Sequence, residues 1–259
     1  MNEATEERIH GLIEYFEGAR KPAVIAFSGG VDSSVLVYLA LASHIEFSTI
    51  TVVHQATPKS DIERVKTAGR EWRFRPNFLE VDMHRIPHFT ENPPDRCYYC
   101  KREMMRGIME KAGEIYTNPL IIAGTNADDV EDGRPGIAAL RELGIETPLA
   151  DMGIHKNEVR EMARFLHIPH DIPARPCYAT RIPYGEQVSE QKIEVIAKAE
   201  AIVLKTGVRD CRVRFIEPAT ASIELPGYDA SFPMKAVRER LKALGFERIV
   251  LSGKRLNRR

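Results

Sequence analysis

The chain lacks a surplus of charge of either sign: 37 Lys and Arg stand against 37 Asp and Glu in 259 residues, a formal net charge of zero. Proteins that coat nucleic acid or an anionic membrane carry a strong basic excess, so this balance argues against both and leaves only local basic patches. Long apolar runs are also missing. The longest, Val35 to Ala42, falls far short of the ~20 residues needed to span a bilayer. No basic-then-apolar leader opens the sequence, whose first seven residues are acidic and polar, and a cytoplasmic protein is expected. Repeats and low-complexity tracts are absent. Cysteine is scarce, with four residues. In a reducing compartment so few are ligands, nucleophiles or core residues rather than a disulfide framework.

What is present reads as alternating strands and helices. Glu6 to Ala19 has Ile9, Leu12, Ile13 and Phe16 on one helical face. Pro22 to Phe27 is a short apolar run of the kind that forms a parallel strand buried on both sides. Val31 to Ala42 predicts a helix, Ile50 to Val53 a strand, Ile62 to Trp72 a helix and Phe78 to Val81 a strand. Arg102 to Ala112 predicts a helix and Leu120 to Ala123 a fourth strand. The pattern predicts an α/β fold with a doubly wound parallel sheet. After the helix Lys156 to Leu166 and a proline-rich stretch, the pattern changes. Helices over 189–204 and 234–244 and strands over 210–216, 221–225 and 248–251 predict a small C-terminal α+β domain. The expected domains are 1–185 and 186–259.

The most specific motif is the strand-to-helix turn Ser28-Gly29-Gly30-Val31-Asp32-Ser33-Ser34. Two glycines let backbone N–H groups converge on a phosphate with no Cβ in the way, and the next helix adds its N-terminal N–H groups and dipole. Three serines add hydroxyls. Asp32 would repel a polyphosphate unless it holds Mg²⁺ or caps the helix. The bland alternative is a tight turn with a serine cap. A second polar cluster, Gly124, Thr125, Asn126, Asp128 and Asp129, follows the fourth strand at the edge where open α/β sheets bind ligands. Its carboxylates could bind Mg²⁺ or cap the next helix.

Cys97 and Cys100 form a Cys-x-x-Cys pair in a loop leading into a helix, and Cys177 stands far downstream. A two-residue spacer lets two thiolates meet one metal centre, and a third can arrive from another loop. Lys101, Arg102, Arg175 and Arg181 surround these sulfurs with charge that favours thiolates. A redox dithiol remains an alternative for the pair. Cys211, in a strand-like segment, reads as a core residue.

The seven-residue turn resembles the PP-loop of N-type ATP pyrophosphatases, which release pyrophosphate and leave an adenylylated substrate. It has no lysine, unlike the kinase-type phosphate loop. Four segments in order, S-G-G-V-D-S-S, N-P-P-D-R-C-Y-Y-C-K, G-T-N-A-D-D and C-Y-A-T-R-I-P-Y-G, are similar to the LarE family of ATP-dependent sulfur transferases. The resemblance runs from about residue 10 to residue 250. It implies adenylylation of the carboxylates of a pyridinium-dicarboxylate mononucleotide and their replacement by thiocarboxylates, as in nickel-pincer cofactor synthesis. Ser28 to Ser34 with Gly124, Thr125, Asn126 and Asp128 would bind ATP with Mg²⁺, and Cys97, Cys100 and Cys177 would hold a [4Fe–4S] cluster carrying sulfide. Cys177, Asp32, Arg181 and Glu200 are the implied catalytic set, and Arg212 and Arg214 the implied contacts to the substrate phosphate. A sulfide donor and a homo-oligomer are further expectations. The alternatives are a sacrificial Cys177 that gives up its own sulfur, a cluster-dependent tRNA thiolase, an amide-forming synthetase and a non-catalytic ATP or iron–sulfur sensor. His54-Gln-Ala-Thr57 departs from the family pattern where adenine and ribose contacts are expected. The basic end 254–259 reads as a solubilising terminus.

Overall fold

The computed structural model describes residues 3–172, 176–216, 218–225 and 231–252. Arg175 and the basic end 254–259 lie outside the described residues. The chain divides into two compact units, Met1–Pro87 with Asp95–Ala174, and His88–Pro94 with Arg175–Arg259.

In the first unit the chain runs α1 (Glu3–Glu17), β1 (Ala23–Ala26), α2 (Val31–Ala42), β2 (Phe47–Val53), α3 (Lys59–Glu71), β3 (Asn77–Glu80) and α4 (Arg96–Ile115). It continues through β4 (Leu120–Ala123), α5 (Ala127–Glu131), α6 (Pro135–Glu142), α7 (Pro148–Asp151) and α8 (Lys156–Phe165). The strands form a parallel sheet in the order β3-β2-β1-β4. Because side chains alternate along a strand, β1 serves two layers. Ala23 and Ile25 pack with Leu12, Phe16, Leu36 and Val159 of α1, α2 and α8. Val24 and Ala26 pack with Met105, Ile108 and Leu140 of α4 and α6. The α/β fold with helices on both faces is the one the alternation predicts. The β1 end of the β1–α2 turn is pinned through both polar groups of the Phe27 backbone. Phe27 N–H donates to the Ile50 carbonyl (3.0 Å), and the Thr51 hydroxyl donates to the Phe27 carbonyl (2.7 Å).

Two regions differ from the sequence reading. Helix α4 starts at Arg96 rather than Arg102, so Cys97 and Cys100 lie on its first turns and not in a loop. Cys and Tyr are weak helix formers, but tertiary contacts override them. Tyr98 O–H donates to Glu142 of α6 (2.6 Å), and Arg102, one turn further along α4, sits over the rings of Tyr98 and Tyr99 (5.3 and 5.8 Å). The short helices α5, α6 and α7 are the second difference. Gly133, Pro135, Gly144 and Pro148 punctuate that region as loop chemistry would, yet Pro135 and Pro148 open helices at their first turns.

The second unit contains α9 (Glu190–Leu204), β5 (Arg212–Ile216), β6 (Thr220–Glu224), α10 (Met234–Lys242) and β7 (Arg248–Ser252). The sheet order is β5-β6-β7, antiparallel then parallel. Its core gathers Ala199, Val203, Val213, Ile223, Val237 and Leu241, together with Cys211, which is 2% exposed. The units divide between 174 and 175, ahead of the boundary expected at 185. The reason is chemical: the segment after Cys177 is tied to α9 and β5 by Arg181 and Arg214. His88–Pro94 joins the same unit because the buried Asn92 amide donates to the carbonyls of Ile182, Pro183 and Glu186. Among the described residues no helix is long and apolar enough to cross a membrane.

Candidate functional site

The turn between β1 and α2 forms a cradle. Gly29 has φ +69°, a conformation open to glycine, and Gly30 caps α2 through its backbone with no side-chain cap. The loop's polar groups hold one another by long contacts: Ser28 Oγ to Ser33 Oγ at 3.2 Å, and Gly30 N–H to Ser28 Oγ at 3.3 Å. Ser28 N–H donates to Ser33 Oγ at 3.3 Å, and Ser33 O–H to the Gly30 carbonyl at 3.1 Å. Bonds of this length are weak enough to be exchanged for phosphate oxygens. Val31 and Ser34 are buried in the first turn of α2.

The polar cluster after β4 meets this turn. A Cβ on Gly124 would stand 2.8 Å from the Ser33 nitrogen, so only glycine lets β4's extension lie against the start of α2. Thr125 and Asn126 are buried. Asn126 caps α5: its side-chain oxygen accepts from Asp129 N–H (3.1 Å), and the Asp129 carboxylate accepts from Asn126 N–H (3.3 Å). Arg134 pairs with Asp129 at 2.6 Å. Asp128 instead turns to the start of α8, accepting from Lys156 N–H and facing His155 Nδ1 at 3.2 Å.

Asp32 does not cap α2. One carboxylate oxygen pairs with the Lys156 ammonium across 124 positions of sequence. The other, Oδ1, is sealed from solvent without a hydrogen-bond partner among the described residues. Burial pushes the Asp32 pKa up, and the Lys156 ammonium opposes that rise. A buried carboxylate oxygen beside a phosphate cradle fits a hard divalent cation such as Mg²⁺. The sequence reading does not single out Lys156, although one signal marks it. It opens helix α8, and the positive end of a helix dipole disfavours a cation there.

Asp128, Glu131 and His155 each bring a ligand atom within 4.8 Å of the others. Both ring nitrogens face carboxylates, Asp128 at 3.2 Å and Glu131 at 3.9 Å. Asp128 first among its neighbours pushes the His155 pKa up. The two carboxylates favour the protonated ring, the form that has no lone pair for a metal. His54, at the end of β2, is different: its Nδ1 accepts from Ala56 N–H (3.1 Å), and burial pulls its pKa down to about 4.

On α4 the exposed Cys97 and half-buried Cys100 stand three residues apart, hence on one helix face. An Arg96 guanidinium nitrogen lies 3.9 Å from Cys97 Sγ, and Cys100 Sγ lies 3.5 Å from Met104 Sδ. Two thiols on one face, one beside a guanidinium, fit a soft metal centre.

The second unit holds Cys177, Arg181, Glu200, Arg212 and Arg214. Cys177 is half-buried, and its carbonyl accepts from the Thr180 hydroxyl (2.8 Å) at the start of a 3-10 turn over Tyr178–Arg181. Arg181 is 1% exposed and forms a two-point pair with Glu200 (2.7 and 3.2 Å), while Glu200 also accepts from Val213 N–H (3.1 Å). Arg214 pairs with Glu224 (2.6 Å) and donates to the Thr180 carbonyl (3.0 Å). Arg212 is buried nearby. Burial, and then the charges of Arg181 and Arg214, push its pKa down. Arg212 and Arg214 lie on one face of β5, as alternation requires.

No family model matches the chain. It is 34% identical over 85% of its length to an uncharacterized protein of Synechocystis sp., slr1717, covering 82% of that protein. It is 25% identical over 88% of its length to the pyridinium-3,5-bisthiocarboxylic acid mononucleotide synthase of Lactiplantibacillus plantarum, covering 84% of it. It is also 30% identical over 72% of its length to one chain of the glutamine-hydrolyzing GMP synthase of Methanopyrus kandleri, covering 63% of that chain.

Proposed function

Because the chain belongs to the PP-loop ATP pyrophosphatase superfamily and, within it, to the family of the Synechocystis protein slr1717, we propose that it is an ATP-dependent sulfurtransferase. Its substrate in this reading is a pyridinium-dicarboxylate mononucleotide. ATP activates a carboxylate as the acyl adenylate, and sulfide then displaces AMP to give the thiocarboxylate. The observation that carries the ATP half is the Asp32–Lys156 pair set against the Gly29–Gly30 cradle. The similarity to the Lactiplantibacillus synthase supports the substrate.

In this reading Ser28 to Ser34, with Gly124, Thr125, Asn126 and Asp128, bind ATP with Mg²⁺. Backbone N–H groups of the loop and the Lys156 ammonium balance the charge that builds as the α–β bond breaks. Asp32 would hold Mg²⁺, which when bound would offset the repulsion between its carboxylate and the triphosphate. Arg212 and Arg214 bind the substrate phosphate, for which guanidinium groups have matching geometry. Glu200 and Arg181 set the shape of that site rather than enter the reaction, since each is buried in the other's company.

Cys97, Cys100 and Cys177 would hold a [4Fe–4S] cluster, which when bound supplies the sulfide that replaces the carboxylate oxygen. The chain's own part is to present three thiolates and to keep Cys97 beside the Arg96 cation. Iron and sulfide analysis after anaerobic purification tests this. About four irons per chain that are lost in Cys97→Ala, Cys100→Ala and Cys177→Ala support it. An iron-free, active protein whose Cys177 loses the mass of H₂S on turnover contradicts the cluster and leaves the sacrificial route. The sulfide donor, a homo-oligomeric state and a cytoplasmic location belong to the same proposal.

A further inference from the structure

The phosphate cradle depends on a peptide that has no side chain at either end. The unit between Gly29 and Gly30 can rotate as a block with little steric resistance, since neither residue has a Cβ. Rotation by half a turn exchanges its N–H and its C=O. One orientation offers a donor to a phosphate oxygen, and the other presents a carbonyl oxygen that repels it. Two glycines therefore make the cradle possible and also leave it undecided.

Helix α3 supplies the decision. Arg64 Nε donates to the Gly29 carbonyl at 3.2 Å, and Arg64 Nη2 pairs with Asp61 Oδ1 at 2.6 Å, so the guanidinium is aimed from both sides. The pair is mostly buried, with side chains 28% and 20% exposed. The helix also lies directly on Gly29. A Cβ there would stand 3.1 Å from Val65 Cγ2, 3.3 Å from Arg64 Cβ and 3.3 Å from the Asp61 carbonyl. In a trans peptide the C=O and N–H point opposite ways. With the carbonyl taken on the α3 side, Gly30 N–H faces away from α3, where it makes only its 3.3 Å contact to Ser28 Oγ.

Resting on the ATP reading above, we infer that Arg64 is a positioning residue that locks the Gly29–Gly30 peptide with its N–H toward the bound polyphosphate, and that Asp61 holds Arg64 to that task. Arg64 acts through the peptide. Its contribution is the fraction of time the cradle spends in the competent orientation, which scales the apparent affinity directly.

The test titrates Mg-ATP into the full chain by calorimetry, with backbone amide exchange followed at Gly30. If wild type does not bind Mg-ATP, the ATP reading itself fails before Arg64 is at issue. If it binds, Arg64→Ala should weaken binding ~10-fold, as expected if the competent orientation falls to about a tenth of the population. Gly30 amide exchange should change in the same variant, and Arg64→Lys, which restores a donor, should recover part of the affinity. Arg70→Ala, which removes an exposed guanidinium on the same helix bonded only to Thr67, should bind as wild type does. Wild-type affinity in a folded Arg64→Ala overturns the inference. So does a loss shared equally by Arg70→Ala. Should Arg64→Ala fail to fold, Asp61→Asn takes its place, and wild-type affinity there is the overturning result.

Discussion

The two units hold their polar residues in opposite ways. In the β1–α2 cradle the serines and glycine amides touch one another at 3.1 to 3.3 Å, contacts that a ligand can replace. In the second unit Arg181 meets Glu200 at 2.7 Å and Arg214 meets Glu224 at 2.6 Å, charge-assisted and at least partly shielded from water. The first arrangement is poised for exchange. The second holds its guanidinium groups by short contacts to carboxylates, Arg181 on Glu200 and Arg214 on Glu224. What distinguishes a binding loop from a scaffold here is how tightly the residues hold each other in the ligand's absence.

That contrast breaks most severely at the Asp32–Lys156 pair of the cradle. Lys156→Met leaves Asp32 buried without its cation, so its pKa rises further, and Mg-ATP affinity should fall ~100-fold or more, as for a buried pair that loses a partner. Calorimetric titration of Mg-ATP at neutral pH measures this, and an affinity within a few-fold of wild type would remove Lys156 from the site. The matching cut in the scaffold is Glu200→Gln, which strands the Arg181 guanidinium. A loss of ~3 kcal/mol in urea unfolding is expected, with Mg-ATP affinity retained. Equal damage to ATP binding would show that the two regions are not independent.

Gly124→Ala sharpens the cradle side. Its Cβ would collide with the Ser33 backbone at 2.8 Å, and relief requires α2 or β4's extension to shift. We expect a loss of ~2 kcal/mol in stability and a parallel weakening of ATP, read by thermal melts with and without Mg-ATP. The smallest effect is in pH. The His54 pKa lies at about 4 against 6.5 unperturbed, so the unfolded chain takes up its proton first as pH falls. Its contribution is whole above ~6.5 and is lost between ~6.5 and ~4. His54→Gln should flatten that part of the acid limb in urea midpoints measured at successive pH values, and an unchanged slope would contradict the assignment.

Much of this was legible from the chain alone. The strand Leu120–Ala123 and helix Val31–Ala42 follow from apolar runs and a Gly-Gly turn, because local pattern and tertiary role agree there. Helix α4 begins six residues ahead of the sequence expectation because Cys-Tyr-Tyr-Cys has no helical bias. Its order comes with the Tyr98 bond to Glu142 of α6, a partner far away in sequence. Arg64 was invisible for the same reason, and Lys156 carried only its odd place at a helix start. Each matters through a contact to a loop far away in sequence, and no local spacing encodes which lysine or arginine arrives. The serines and glycines of the cradle were visible because the loop carries its own chemistry.

Adenylyl transfer and phosphoryl transfer differ in which bond of ATP is broken. Incubating the protein with pyridinium-3,5-dicarboxylate mononucleotide and Mg-ATP, then separating the nucleotides, decides between them. AMP and pyrophosphate in equal amounts, dependent on the substrate and abolished in Asp32→Ala, are the predicted result; ADP and phosphate, or AMP formation that survives Asp32→Ala, would contradict it.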